Sequence, residues 1–123
     1  MSSYLDRILE DTKESILLKK KNRSYQEFFS LIKDLSETRG FVQRIRQREE
    51  KGLKSVIAES KQASPSQGLI RKYYDPSKIA ESYIKHNATC ISVLTDEKHF
   101  LGSLRHLEEI NSKFDIPLLR KDF

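Results

Sequence analysis

The sequence has little of what secreted, membrane-spanning and zinc-binding proteins require. Its single cysteine, Cys90, has no partner for an internal disulfide, so we expect a reducing, cytoplasmic location. No apolar run approaches the roughly 18 residues that a membrane span needs, and no hydrophobic leader follows Met1. One cysteine and three scattered histidines also argue against a structural zinc site. We therefore expect no membrane partner and no secretory role.

Length and charge narrow the class further. The chain has 123 residues, which is enough for one domain and too few for two well-filled cores. Its net charge of +5 and its basic clusters, the first at residues 19–23, suggest nucleic-acid binding as one function. Acidic residues interleave with these clusters, however, and no nucleic-acid motif is present. A solvated helical surface is the better interpretation, so we expect no nucleic-acid partner.

Residues 1–52 are predicted to form a helical extension. Apolar residues recur at three- and four-residue spacing over residues 5–16 and again over residues 28–35, which predicts two helices. The basic run at residues 19–24 interrupts this pattern and predicts a turn. A third short apolar stretch follows Gly40. The same stripes also fit an alternative function, a non-enzymatic helical module that binds a partner while the rest of the chain acts as scaffold.

Residues 53–123 have a different character, because short β-rich runs alternate with helical patterns. A helix is predicted to begin at Asp75-Pro76-Ser77, and another contains Leu104, Leu107 and Ile110. Loops are predicted around Ser64-Pro65-Ser66 and over residues 95–102. The strands are predicted at residues 55–60, 89–94 and 117–121. This order predicts an α/β fold with a parallel sheet and right-handed crossovers.

Charged side chains are predicted to gather where these strands end. Glu59 and Lys61 share one face at the carboxyl end of the first strand, roughly 7 Å apart along it. Lys121 ends the third strand. Ligands of α/β folds bind at this edge, where two lysines would attract an anionic substrate. Because each positive charge disfavours the other, we expect a lowered lysine pKa that would suit an acid catalyst.

Plainer interpretations of the same residues remain open at this point. Glu59 and Lys61 also fit an ion pair that only aids solubility. Thr95, Asp96 and Glu97 follow the second strand. They fit either the same carboxyl edge of the sheet, which we call the rim, or caps of the following loop. Tyr73 and Tyr74 fit either a loop over the substrate mouth or simple packing. Cys90, in mid-strand, is predicted to be a buried thiol.

Three segments, in order and at matching spacing, resemble the indole-3-glycerol-phosphate synthase family. They are VIAESKQASPSQG at residues 56–68, ISVLTDE at residues 91–97 with Phe100, Gly102 and Ser103 after it, and IPLLRKDF at residues 116–123. The resemblance implies a (β/α)8 TIM barrel. Residues 1–52 would then be its N-terminal helical extension, and residues 53–123 its first (βα)2β part. The fold would be an incomplete barrel.

The resemblance also implies a carboxy-lyase activity in tryptophan biosynthesis. The family converts 1-(2-carboxyphenylamino)-1-deoxyribulose 5-phosphate, an anionic phosphorylated substrate, to indole-3-glycerol phosphate, with loss of carbon dioxide and water. It needs no metal and no organic cofactor. Lys121 matches the general acid, Lys61 a lysine that binds the substrate carboxylate, and Glu59 a carboxylate that stabilises a cationic intermediate or takes part in dehydration. The implied substrate-binding residues are Ser64 on the phosphate side and Leu94, Phe100 and Phe123 around the aromatic ring.

A barrel of this kind has eight strands and about 250 residues, whereas three strands are predicted here. We therefore expect the isolated chain to be inactive. A three-stranded piece would also have two unpaired edges. We expect it to associate with itself or with a complementary C-terminal half.

Overall fold

The computed structural model describes residues 3–122, and these residues form six helices and five strands. They are α1 (Tyr4–Asn22), α2 (Tyr25–Ile32), α3 (Phe41–Glu50), β1 (Ile57–Ser60), β2 (Ala63–Ser64), β3 (Gly68–Leu69), α4 (Pro76–Lys85), β4 (Cys90–Leu94), α5 (Glu97–Phe100), α6 (Leu104–Lys113) and β5 (Leu118–Lys121). The chain divides into two compact units between Glu37 and Thr38. Within residues 3–122, no helix combines the length and hydropathy that crossing a bilayer requires.

The first unit contains α1 and α2, each of which begins at a capping box. Ser24 accepts a hydrogen bond from the Glu27 amide at 3.3 Å, and the Glu27 carboxylate accepts one from the Ser24 amide at 2.6 Å. The predicted turn at residues 19–24 is wrong in its first part, because α1 continues to Asn22. Lysines in the last turn of a helix interact favourably with the helix dipole. The basic run therefore forms the last turn of α1 and does not break the helix before it. The second helix ends at Ile32, which leaves Leu35 outside it.

The second unit is built on a parallel sheet, as predicted, and its strands lie in the order β1-β4-β5. On one face of the central strand, Ile91 and Val93 are fully buried. They pack with Ala80 of α4, with Ile110 of α6 and with Ile116. This apolar cluster fixes both helices on one side of the sheet. The opposite face therefore carries the other set of alternate side chains.

Two stretches predicted as loops contain short elements. The segment after β1 holds the hairpin of β2 and β3, in which Ser64 Oγ accepts a hydrogen bond from the Gln67 amide at 3.3 Å. The segment after β4 holds α5, which Asp96 caps by accepting a bond from the His99 amide at 2.6 Å. The prediction of unbroken loops is therefore wrong. Elements of two to four residues carry no periodicity by which a sequence could reveal them.

The third helix packs against the amino-terminal end of the sheet. Gly40, with φ of 64°, adopts the left-handed conformation at its start. The Cys90 thiol lies 3.7 Å from the Phe41 carbonyl oxygen and is buried, as predicted. The Arg39 guanidinium donates to the carbonyl oxygens of Asn111 and Phe114, both at 2.9 Å. These bonds fasten the segment before α3 to the end of α6.

Candidate active site

The carboxyl ends of the strands bring Glu59 between two lysines. Its Oε1 lies 2.6 Å from Lys61 Nζ, and its Oε2 lies 2.6 Å from Lys121 Nζ. Strands β1 and β5 flank β4 and lie roughly 10 Å apart, so these long side chains meet over the central strand. The structure thus assembles the three residues that the sequence indicated as a catalytic group. Their individual roles stay predictions.

The protonation states in this group follow from its geometry. Burial is the largest single influence on Glu59 and opposes its ionisation. The hydrogen bonds and charges of Lys121 and Lys61 together outweigh it, so the pKa of Glu59 lies below its usual value. The hydrogen bond to Glu59 raises the pKa of Lys121 more than desolvation lowers it. At neutral pH the rim therefore holds an anionic Glu59 and a cationic Lys121.

This result corrects one expectation from the sequence. Two neighbouring lysines were expected to lower a lysine pKa, but for Lys121 the shift is upward. The reason is that the Glu59 carboxylate lies between the two ammonium groups and compensates their repulsion. Any anion at this position has to compete with the Glu59 carboxylate for the two lysines.

The backbone on either side of Lys121 is held by Thr95, which follows β4. The Thr95 amide donates to the Lys121 carbonyl oxygen at 2.9 Å, and its hydroxyl donates to the Asp122 carbonyl oxygen at 3.1 Å. The same hydroxyl accepts a bond from Arg120 Nε at 3.0 Å. Asp122 itself has a φ of 52°, an uncommon left-handed conformation for a residue other than glycine. Thr95 thus fixes the backbone at Lys121, from which the Lys121 side chain extends.

Two tyrosines hold the end of β1. Tyr83 of α4 donates its hydroxyl to the Glu59 carbonyl oxygen at 2.8 Å, and the Tyr74 hydroxyl lies 2.7 Å from Ser60 Oγ. For Tyr74 the packing alternative is confirmed, because its ring centroid lies 5.0 Å from that of His106. Tyr73 is 86% exposed. The sequence does not reveal this role of Tyr83, since helical spacing cannot show which atom a phenol hydroxyl bonds.

The remaining residues singled out from the sequence are placed as follows. Leu94 is buried on the same sheet face as Glu59 and Lys121, because it is the register partner of Lys121. Phe100 is half-buried in α5, and α5 packs against β2, which contains Ser64. Asp96 is a loop cap, one of its two interpretations, and Glu97 lies in the first turn of α5. Phe123 lies outside the described residues.

Two other features bear on the location of a site. A cleft of about 540 Å³ lies at the opposite, amino-terminal end of the strands, where Arg44, Thr89 and Phe114 contribute to its lining. Glu59, Lys61 and Lys121 do not line it, so the charged group lies outside this cleft. Among residues 3–122, no three histidine, cysteine or acidic side chains cluster so that they could hold a metal ion.

Comparison with known proteins decides the family. Residues 5–123 match the family model described as indole-3-glycerol phosphate synthase. The chain belongs to this family. Membership confirms the resemblance carried by the three strand-end segments. It also agrees with the parallel three-stranded sheet and its covering helices, because indole-3-glycerol phosphate synthase is a TIM-barrel family.

Curated relatives carry the same family name. The chain is 43% identical over 123 residues to indole-3-glycerol phosphate synthases of Burkholderia multivorans and Burkholderia ambifaria. Each match covers 100% of this chain and 47% of the relative. The chain therefore spans about half the length of the curated indole-3-glycerol phosphate synthases that it matches.

Proposed function

We propose that this chain supplies part of the active site of an indole-3-glycerol phosphate synthase. The reaction is the decarboxylating and dehydrating ring closure of 1-(2-carboxyphenylamino)-1-deoxyribulose 5-phosphate in tryptophan biosynthesis. One observation carries the proposal. In a chain of this family, Glu59 bridges Lys61 and Lys121 at the carboxyl end of a parallel sheet. That edge is where barrel enzymes hold their catalytic groups.

The charges of the rim suit the first step of this reaction. The ring carbon that bears the carboxylate attacks the ribulose carbonyl carbon, and a carbon–carbon bond forms. Lys121, which is cationic, donates a proton to the carbonyl oxygen, so that the oxygen becomes a hydroxyl group. Lys61 binds the substrate carboxylate by a charge-assisted hydrogen bond. Both lysines become available to the substrate when it displaces the Glu59 carboxylate.

The later steps use the displaced carboxylate. Ring closure leaves a positive charge on the conjugated nitrogen, and the anionic Glu59 stabilises it. The carbon–carboxylate bond then breaks and carbon dioxide leaves. The electron pair of the broken bond restores the aromatic ring. Dehydration follows, as the new hydroxyl group leaves with a proton and the adjacent carbon loses one. Glu59 takes part in that step.

The surroundings of the rim support the proposed substrate. Leu94, buried beside Lys121, is the proposed apolar neighbour of the aromatic ring together with Phe100. Phe123 is proposed for the same role from the family resemblance alone, because it lies outside the described residues. Ser64 serves the phosphate side, and the packing of α5 against β2 brings the element with Phe100 next to the element with Ser64. The proposed reaction needs no metal and no organic cofactor. A cytoplasmic location belongs to the same proposal.

The architecture that we propose is an incomplete (β/α)8 barrel, with residues 1–52 as its helical extension and residues 53–123 as its first strands. Among the described residues, β1 and β5 each have one unpaired edge. Ile57 and Leu119 of these strands are each 47% exposed on the face that carries Glu59. Unpaired edges beside apolar surface favour pairing with further strands. We infer that the chain associates with itself or with a complementary C-terminal half.

The proposal is tested in a chimera in which residues 1–123 replace the matching segment of the Burkholderia multivorans relative. We expect this protein to form indole-3-glycerol phosphate. Lys121→Ala should lower kcat by about 10²–10⁴-fold, because the substrate carbonyl loses its proton donor. The measurement is the steady-state rate of product formation by the purified protein.

A matched control is Lys85→Ala, which removes an exposed lysine at the carboxyl end of α4. It should leave kcat unchanged. Full activity of the Lys121→Ala chimera, or a folded but inactive unsubstituted chimera, would contradict the proposed function.

A further inference from the structure

The carboxyl end of β1 is short of support from the sheet itself. The strand has four residues and pairs only with β4 among the described strands. Such an edge strand opens locally at low free-energy cost. Its third residue, Glu59, nevertheless makes two charge-assisted bonds of 2.6 Å. Bonds this short require a well-defined carboxylate position, so contacts that add to the single ladder with β4 matter at this end of the strand.

Two phenol hydroxyls supply that support at consecutive residues. Tyr83 donates to the carbonyl oxygen of Glu59 at 2.8 Å, and the Tyr74 hydroxyl bonds the Ser60 side chain at 2.7 Å. Ser60 is fully buried and points to the sheet face opposite the Glu59 carboxylate. The two bonds therefore restrain the peptide group between Glu59 and Ser60 without touching either lysine.

Both tyrosines are anchored in the helical layer. Tyr83 lies on α4 and packs against the apolar cluster of Ile91, Val93 and Ile110. Tyr74 lies just before α4, and its ring packs at a tilt of 59° against His106 of α6. Burial raises the pKa of the Tyr74 hydroxyl, so it stays protonated and can donate. The end of β1 is thus tied to both helices that cover the sheet.

We propose that Tyr83 and Tyr74 are positioning residues, which hold the end of β1 so that the Glu59 carboxylate reaches both Lys61 and Lys121. The catalytic meaning of this inference rests on the proposed function. The geometry itself does not, because the Glu59 bridge can be observed without turnover. Neither tyrosine touches the rim lysines, so each acts only through the backbone of β1.

The test is a carboxyl titration of Glu59 by NMR in the 123-residue chain, with Tyr83→Phe and Tyr74→Phe as variants. Each change removes one hydroxyl and keeps the ring. We expect the pKa of Glu59 to rise towards its usual value in both variants, since a looser β1 weakens the bonds to the lysines that face it. The pKa of Lys121, which also faces Asp122, should fall. Tyr73→Phe is the matched control, because Tyr73 is exposed and the bonds to Glu59 and Ser60 are made by Tyr83 and Tyr74 instead.

Each outcome decides something. A folded Tyr83→Phe chain whose Glu59 pKa equals that of the Tyr73→Phe control would overturn the inference for Tyr83, and the same holds for Tyr74. If Tyr83→Phe loses the folded amide spectrum, Tyr74→Phe decides alone, and unfolding of both would show a purely structural role. A shifted Glu59 pKa together with an inactive chimera would count against the proposed function and leave the positioning role intact.

Discussion

At the residue scale, Glu59 determines the chemistry of the rim, because one carboxylate binds two lysines that would otherwise repel each other. Strand alternation predicted that Glu59 and Lys61 share a face, and the parallel order predicted that Lys121 ends at the same edge. The sequence could not show that the carboxylate lies between the lysines. That position depends on the register, in which Glu59 pairs with Ser92 while Lys121 pairs with Leu94. The sequence therefore could not predict the direction of the Lys121 pKa shift.

A pH dependence of stability follows for Glu59. The pKa of Glu59 is depressed in the folded chain and lies near 4.5 in the unfolded chain. Its bridge therefore makes its full contribution to stability above pH 4.5. That stability is lost as the pH falls through the folded pKa. Glu59→Gln should therefore lower the free energy of unfolding at neutral pH, and the difference from the unsubstituted chain should vanish in acid. Urea unfolding of both chains at a series of pH values measures this difference in the free energy of unfolding.

The control for this titration is Glu81→Gln, which changes an exposed carboxylate on α4. It should change the free energy of unfolding only slightly, as is usual for a surface substitution. If Glu59→Gln behaves in the same way, the bridge does not contribute to stability.

At the element scale, the connection from β4 to α6 shows what local patterns predict and what they miss. The long helices and the three main strands follow from apolar spacing and from caps such as Asp75. The helix α5 does not, because a single turn has no periodic signal. The role of Gly102 is equally hidden, although it belongs to one of the three family-like segments. Its amide donates to the Asp96 carbonyl oxygen at 2.7 Å, so the loop folds back tightly on the end of β4.

Gly102→Ala should disrupt this connection. A Cβ at position 102 would clash with the Leu94 carbonyl oxygen and lie 2.9 Å from that of Asp96, and backbone atoms cannot move aside cheaply. We expect a loss of about 1–3 kcal/mol of unfolding free energy, typical of overpacking. NMR should also show displaced amide signals over residues 94–96.

Gly52→Ala is the matched control for that substitution. Gly52 has a φ of 67° but nothing within 4 Å of its would-be Cβ, so alanine there should cost about 1–2 kcal/mol through backbone strain alone. The amide signals of residues 94–96 should stay in place. If Gly102→Ala leaves both stability and these signals unchanged, the close approach at β4 is not a constraint.

At the scale of the whole molecule, family membership was predictable because three ordered motifs carry it, and those motifs are the strand ends that form the rim. The division into residues 1–52 and 53–123 stays a prediction, whereas the compact units separate between Glu37 and Thr38. The proposed association through the sheet edges cannot be read from any local pattern, since strand pairing joins residues that are distant in sequence or belong to another chain. The chain spans 47% of its relatives' length, so its activity has to be measured.

The most direct measurement is turnover of the carboxyphenylamino-deoxyribulose phosphate by the 123-residue chain alone, and then with the remaining part of the Burkholderia multivorans relative added as a separate polypeptide. We predict no turnover by either polypeptide alone and turnover when they are mixed. Turnover by the chain alone, or mixing that produces a complex without activity, would contradict the account.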